Sequence, residues 1–214
     1  MAVKSEREYR DMTMEIRSAE TDEPEQEERK IVTGYASTFN EPYTLYEDDD
    51  WKFEEVVDSR AFDNTDMSDV IMQYDHEGRV FARMSNNTLT VTPDERGLLI
   101  EADLGGTELG RQLFEEIEGG YTNKMSFGFT VDGEEVRDIK NAAGKTVTVR
   151  TITSVRKLYD VSAVSLPAND ATSISVRTLT DGEIERIRAE RLEAEALELR
   201  RRKLLARAKL NGGQ

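Results

Sequence analysis

Between Lys30 and Val176 apolar and polar positions alternate in short runs, the period-two pattern of strands with one buried face. From Ile31 to Phe39 the odd positions Ile31, Thr33, Tyr35, Ser37 and Phe39 fall on one side. Phe53 to Val57, Val70 to Tyr74, Val80 to Met84, Leu89 to Thr92 and Leu98 to Leu104 repeat the pattern, and Asn86-Asn87 and Asp94-Glu95-Arg96-Gly97 supply turns between the last three. The rhythm breaks at Thr107 to Glu118. There Leu109, Leu113, Phe114 and Ile117 recur at helical spacing, Thr107 can cap the start, and Gly119-Gly120 can end it. Strands are expected again over Lys124 to Val131, Glu134 to Ile139, Thr146 to Thr153 and Leu158 to Leu166, with Asn141-Ala142-Ala143-Gly144 as a hairpin turn. The expected body, 30–176, is mainly β with helices, an α+β class.

Two flanking zones differ from this body. Residues 1–29 are acidic and polar; Met12, Met14 and Ile16 can form a short strand, and the rest reads as a flexible arm. Residues 177–214 read as a charged helix from Thr180 on, an interaction or scaffold-like element. Thr180-Asp181-Gly182-Glu183 has capping-box spacing, and the basic residues crowd the C-terminal end, as the helix dipole favours. Arg191 and Arg201 interrupt its apolar stripe, so a regular coiled coil is not implied.

Composition narrows the chemistry. The 44 acidic and 29 basic residues give a formal charge of −15, a surface that repels nucleic acid. No cysteine is present, which excludes disulfides, thiolate catalysis and cysteine-ligated zinc. No apolar run approaches the ~20 residues of a membrane helix, and the charged start lacks a signal-peptide core, so a cytoplasmic protein is expected.

One histidine, His76 in Tyr74-Asp75-His76-Glu77-Gly78, must carry any imidazole chemistry. It lies just past an apolar run, where a strand end can fix a general base whose tip stays reachable. The alternatives are a surface histidine without a task and a metal ligand beside Asp75 and Glu77. The metal signature is weak, because neighbours on extended chain point in opposite directions. In Met125-Ser126-Phe127-Gly128-Phe129 the odd positions point to a core and Ser126 and Gly128 point the other way. Gly128 clears the space beside the Ser126 hydroxyl for a histidine and a substrate carbonyl; the competing reading places both residues beneath a packed helix. Asp160, in the apolar run Leu158 to Val164, is costly to bury unless paired. It can orient the imidazole or form an ion pair with an arginine such as Arg156 or Arg83.

Taken together, the ordered segments resemble the HK97-type prohead (capsid maturation) protease family of tailed bacteriophages, from Gly34 to about Thr172. The residues that carry the resemblance are Gly34-Tyr35-Ala36-Ser37-Thr38-Phe39-Asn40, Glu54-Glu55-Val56-Val57 with Arg60-Ala61-Phe62, Met72-Gln73-Tyr74-Asp75-His76, Gly97-Leu98, Leu109-Gly110, Met125-Ser126-Phe127-Gly128-Phe129, Arg150-Thr151-Ile152, Leu158-Tyr159-Asp160-Val161-Ser162 and Pro167-Ala168-Asn169. The resemblance implies a serine endopeptidase with a herpesvirus-assemblin-like β-barrel, to which the long C-terminal helix read from residues 177–214 is added. It implies Ser126 as nucleophile, His76 as general base and Asp160 as third member, where the family commonly has glutamate. It requires no cofactor and no metal. The implied substrates are the scaffolding segment of the major capsid protein and the protease itself, cut inside the assembling prohead in the bacterial cytoplasm. Self-association is expected, and neither nucleic acid nor membrane is an expected partner. The rival reading is a non-enzymatic capsid assembly or scaffolding protein that keeps the fold.

Overall fold

The computed structural model describes residues 7–12, 17–18, 29–165 and, further on, Ala189, Leu192, Glu193, Ala196, Leu197 and Arg200. The chain divides into two units, Met1–Ser175 and Val176–Gln214. In the first, the strands in chain order are β1 (Glu8–Met12), β2 (Arg17–Ser18), β3 (Ile31–Thr38), β4 (Tyr43–Glu47), β5 (Trp51–Val57), β6 (Ile71–Tyr74), β7 (Glu77–Arg83), β8 (Leu89–Pro93), β9 (Gly97–Asp103), β10 (Lys124–Lys140) and β11 (Thr146–Val164). One α-helix, α1 (Glu108–Glu118), joins β9 to β10.

Alternation decides most of these elements. Along β5, Trp51, Phe53, Glu55 and Val57 are buried while the residues between them are half-exposed, the signature of a strand on a core. One sheet runs β1-β10-β11-β5-β4, with β6 and β7 added beside β11; the other runs β2-β3-β9-β8. A single core draws on both sheets and on α1, through Val32, Leu98, Ile100, Phe127, Ile152, Leu158 and Phe114 among others.

The expected β-barrel is corrected. Closure requires every strand to have two neighbours, yet β1 and β4 each end the first sheet, β2 and β8 end the second, and β7 pairs only with β6. The expected long C-terminal helix is not seen either. Of 177–214 only the six residues named above are described, each helical, and the remainder of that expectation lies outside the described residues.

Several boundaries also move. Two expected pairs of strands are one long hairpin, β10 with β11, because the register shifts between Gly128 and Glu134 are bulges, most of them on β11, that interrupt the ladder without ending either strand. On α1 the buried stripe is Gly110, Leu113, Phe114 and Ile117, while Leu109 turns outward at 38% exposure. Gly110 takes the inner place because a Cβ there would come within 2.2 Å of the Leu104 carbonyl oxygen. Thr107 caps this helix as expected, its hydroxyl accepting the Gly110 N–H at 3.0 Å. Of the short strand expected through Met12, Met14 and Ile16, Met12 ends β1 while Met14 and Ile16 lie outside the described residues.

β1 pairs antiparallel with β10, from Glu8 opposite Phe129 to Met12 opposite Met125. One of its faces enters an ionic cluster. Arg10, 1% exposed, reaches Glu55 at 2.5 and 2.8 Å and Glu8 at 2.5 Å; Arg150 reaches Glu8 at 2.7 Å, Glu55 at 2.6 Å and Glu134 at 2.5 Å. The Tyr43 hydroxyl donates to Glu55 as well. Burial opposes the Glu8 charge, but the Arg150 hydrogen bond and the charges of Arg10 and Arg150 outweigh it and hold this carboxyl at about 2.

A carboxyl held below its ordinary 4.5 adds stability that is complete above that value and is lost as pH falls toward about 2. The shift corresponds to roughly 3 kcal/mol at neutral pH. Glu8→Gln should therefore lower stability at pH 7 in urea unfolding, with the gap to the parent closing as the pH approaches 2. A gap independent of pH would remove the ionic account of how β1 is held.

Candidate active site

Ser126 lies near the start of β10, between Asp11 of β1 and Ser162 of β11 in the strand register. It is completely buried. Its Oγ stands 2.5 Å from His76 Nε2 and donates to the Arg10 carbonyl at 2.9 Å.

His76 is presented by a tight turn between β6 and β7, not by a strand end. Asp75 and His76 have φ of 47° and 59°, two successive left-handed residues as in a type I′ hairpin turn. Such a backbone costs roughly 1–2 kcal/mol per non-glycine residue, so something must hold it. β6 runs parallel to the end of β11, with Tyr74 opposite Ala163. Just beyond, the Asp75 N–H donates to the Ala163 carbonyl at 2.9 Å, and the Asp75 carboxylate accepts from the Ser165 N–H at 3.0 Å and hydroxyl at 2.9 Å. The Tyr9 ring meets the imidazole edge-on, with centroids 4.5 Å apart.

Asp160 completes the line. It is fully buried, and its Oδ1 lies 2.5 Å from His76 Nδ1 and accepts from the Ser162 hydroxyl at 3.0 Å. Its Oδ2 is paired with the Arg7 guanidinium, which also lies over the rings of Tyr9 and Tyr159. Asp160 stands opposite Gly128 in register, and a Cβ on Gly128 would come within 2.4 Å of Oδ2. The space beside Ser126 is thus cleared by Gly128, as the sequence indicates, but the Asp160 carboxylate, Tyr9 and Arg7 fill it. No helix lies there among the neighbours of Gly128.

All three sequence-predicted site residues meet in one place. The ion pair with an arginine that was the alternative for Asp160 is present beside the imidazole contact, but its partner is Arg7; Arg156 pairs with Asp132 and Arg83 with Asp69. The groups that sequence reasoning missed are Arg7 and Tyr9. Both sit in the polar arm, where no apolar run announces a strand; the one available signal was a buried carboxylate in need of a cation. Asp75, weighed as a metal ligand, spends both carboxylate oxygens on Ser165.

A hydroxyl, an imidazole and a carboxylate in hydrogen-bonded series form the side-chain set of a serine hydrolase. The chain matches the caudovirus prohead serine protease family over residues 14–186 of its 214, and it belongs to that family. It is therefore placed with the capsid maturation proteases of tailed phages. No curated protein and no solved structure matches the chain. No helix among the described residues is long and apolar enough to cross a membrane.

The packing at Gly128 can be tested on its own. Gly128→Ala should cost about 1–3 kcal/mol, since the added methyl must displace the carboxylate. Because the chain has a single histidine, its imidazole signals in ¹⁵N NMR are unambiguous. The hydrogen-bonded Nδ1–H resonance of His76 should weaken or vanish in this variant and in Asp160→Asn. An unperturbed resonance in both would break the proposed link between imidazole and carboxylate.

Proposed function

We propose that the protein is a serine endopeptidase in which Ser126 is the nucleophile, His76 the general base and Asp160 the group that orients and charge-compensates the imidazole. The observation that carries this reading is His76 bridging Ser126 and Asp160 with one ring nitrogen each, 2.5 Å to either side. With Nδ1–H donated to Asp160, Nε2 is left as an acceptor for the serine proton. Attack of Oγ on a scissile carbonyl then passes the proton to His76, which delivers it to the leaving amine as the acyl-enzyme forms. Water repeats the sequence and frees Ser126.

Asp is one methylene shorter than the glutamate common at this place in the family. The opposition of Asp160 and Gly128 makes room for this carboxylate, and its Oδ1 reaches His76 Nδ1 directly at 2.5 Å. The substrates in this reading are the scaffolding segment of the major capsid protein and the protease chain itself, inside the assembling prohead of the bacterial host. Self-association belongs to the same proposal. A non-enzymatic assembly protein would have no need to bring its one histidine, a buried serine and a buried aspartate into series.

Co-expression with the cognate capsid protein, read by intact mass, tests the proposal. Cleavage should fall by about 10⁴-fold or more in Ser126→Ala and His76→Ala, and by about 10⁴-fold in Asp160→Asn. Undiminished cleavage in Ser126→Ala would rule out the acyl-enzyme route. Absence of cleavage by the parent chain in assembling shells would favour the assembly-protein reading.

A further inference from the structure

We infer that β1 occupies the place of an extended peptide substrate, so that the N-terminal strand is an intramolecular strap over the site. Substrate would enter by displacing β1 and adding antiparallel to the same edge of β10. This inference rests on the serine protease reading and concerns how that site is regulated.

Ser126 has no exposed surface, yet a hydroxyl that attacks peptide bonds must be reached by one. On the β10 edge, what stands against it is backbone of its own chain, the Arg10 carbonyl. Ser126 has one hydroxyl proton and two acceptors within reach, His76 Nε2 and the Arg10 oxygen. A proton given to Arg10 is not available to the base. The hydroxyl hydrogen-bonds the carbonyl oxygen instead of directing a lone pair at its carbon, so β1 sits as an occupant and not as a bond poised for cutting. The strand touches the other two members as well: Arg7 takes Asp160 Oδ2, and Tyr9 lies against the imidazole. One five-residue strand and the residue before it thus engage every group of the candidate triad.

The attachment of β1 is suited to exchange. Among the described residues it is the last strand of its sheet, its backbone paired with β10 alone, and it lies before residue 14, where the family match begins. An edge strand held by backbone pairing is the kind of element that an incoming extended peptide can replace by strand addition. Its inward hold is ionic, through Glu8 and Arg10. When β1 leaves, Arg150 still reaches Glu55 at 2.6 Å and Glu134 at 2.5 Å and Tyr43 still donates to Glu55, so each carboxylate keeps a partner while one negative charge stays in excess beside the vacated place. The vacated place of Arg10 beside Glu55 would accept a cationic side chain on the residue whose carbonyl faces Ser126. The substrate class is therefore an extended peptide with arginine or lysine at that position.

The full chain permits a reversible test, because it contains no cysteine. Met12 and Met125 are Cα partners across β1 and β10, so Met12→Cys/Met125→Cys can tether the strap by one disulfide. Ser126 reactivity is read by intact mass with a fluorophosphonate probe. Oxidation should slow labelling at least about tenfold relative to the reduced form, since only the strap-open fraction reacts. A second full-length variant, Arg7→Ala/Tyr9→Ala, removes the contacts to Asp160 and His76 but keeps Glu8 and Arg10. It should label at least about threefold faster than the parent, and a synthetic peptide of residues 6–13 should slow it again. Equal rates in the oxidised and reduced tether, or no gain in the second variant, would overturn the strap. Failure of Ser126 to label in any form, reduced tether and parent included, would strike at the protease reading itself.

Discussion

A buried carboxylate must find cations and donors, and the pairing of Asp160 decides how this site is assembled. It depends on the register of β10 against β11. From Lys124 to Gly128 the two strands pair residue for residue, ending with Gly128 opposite Asp160; the next pair is Phe129 with Leu158, so Tyr159 is the extra residue of a bulge. A slip of one residue would send the Asp160 side chain to the opposite face, away from Ser126. It would also place the carboxylate opposite a residue with a Cβ, where the present geometry leaves no room. Glycine, bulge and carboxylate therefore form one device, and none of the three is meaningful alone.

The second constraint is the division of labour on β1. Its alternate residues serve two ionic systems on opposite sides of the sheet: Glu8 and Arg10 face Glu55 and Arg150, while Arg7 and Tyr9 face Asp160 and His76. Buried ion pairs of this sort contribute little net stability compared with an apolar core, because desolvation offsets attraction. What they do is fix a short, polar edge strand in one register where hydrophobic packing could not. In a chain of charge −15, the arginines gathered here are tied to particular carboxylates and so leave the surface acidic.

The legibility of the sequence follows the same physics. Strands such as β5 and β9 are readable from alternation, and α1 from its cap and spacing; on β3 the face is misassigned, since Val32, Gly34 and Ala36 are buried while Thr33 and Tyr35 are half-exposed, and a register shift between Tyr35 and Ser37 turns Ser37 inward. The long hairpin reads as four pieces, because the polar residues at its bulges look like breaks in a local pattern. β4 gives no such signal: it is short, half-exposed from Tyr43 to Tyr46, and runs into Asp48-Asp49-Asp50. Ser126, His76 and Asp160 were legible because each is anomalous where it stands. Arg7 and Tyr9 were not, since a charged alternating arm gives no hydrophobic signal, and their role exists only through strand pairing. The open sheet edges were hidden for a related reason, as closure is a property of long-range pairing that no local pattern records.

The three candidate groups share one mechanical support, the end of β11. Asp160 belongs to it; Ser162 donates to Asp160 and pairs in register with Ser126; Ala163 and Ser165 hold the turn that carries His76. That turn has a left-handed backbone at two residues that are not glycine, and the Asp75 contacts to Ser165 are the interactions that offset its cost. Without them the turn would be free to relax to an ordinary backbone and carry the imidazole away, while Ser126 and Asp160, fixed by strand register, stayed in place. The imidazole is thus the separately adjustable member of the set. Its position is governed by a carboxylate, Asp75, that touches neither Ser126 nor Asp160.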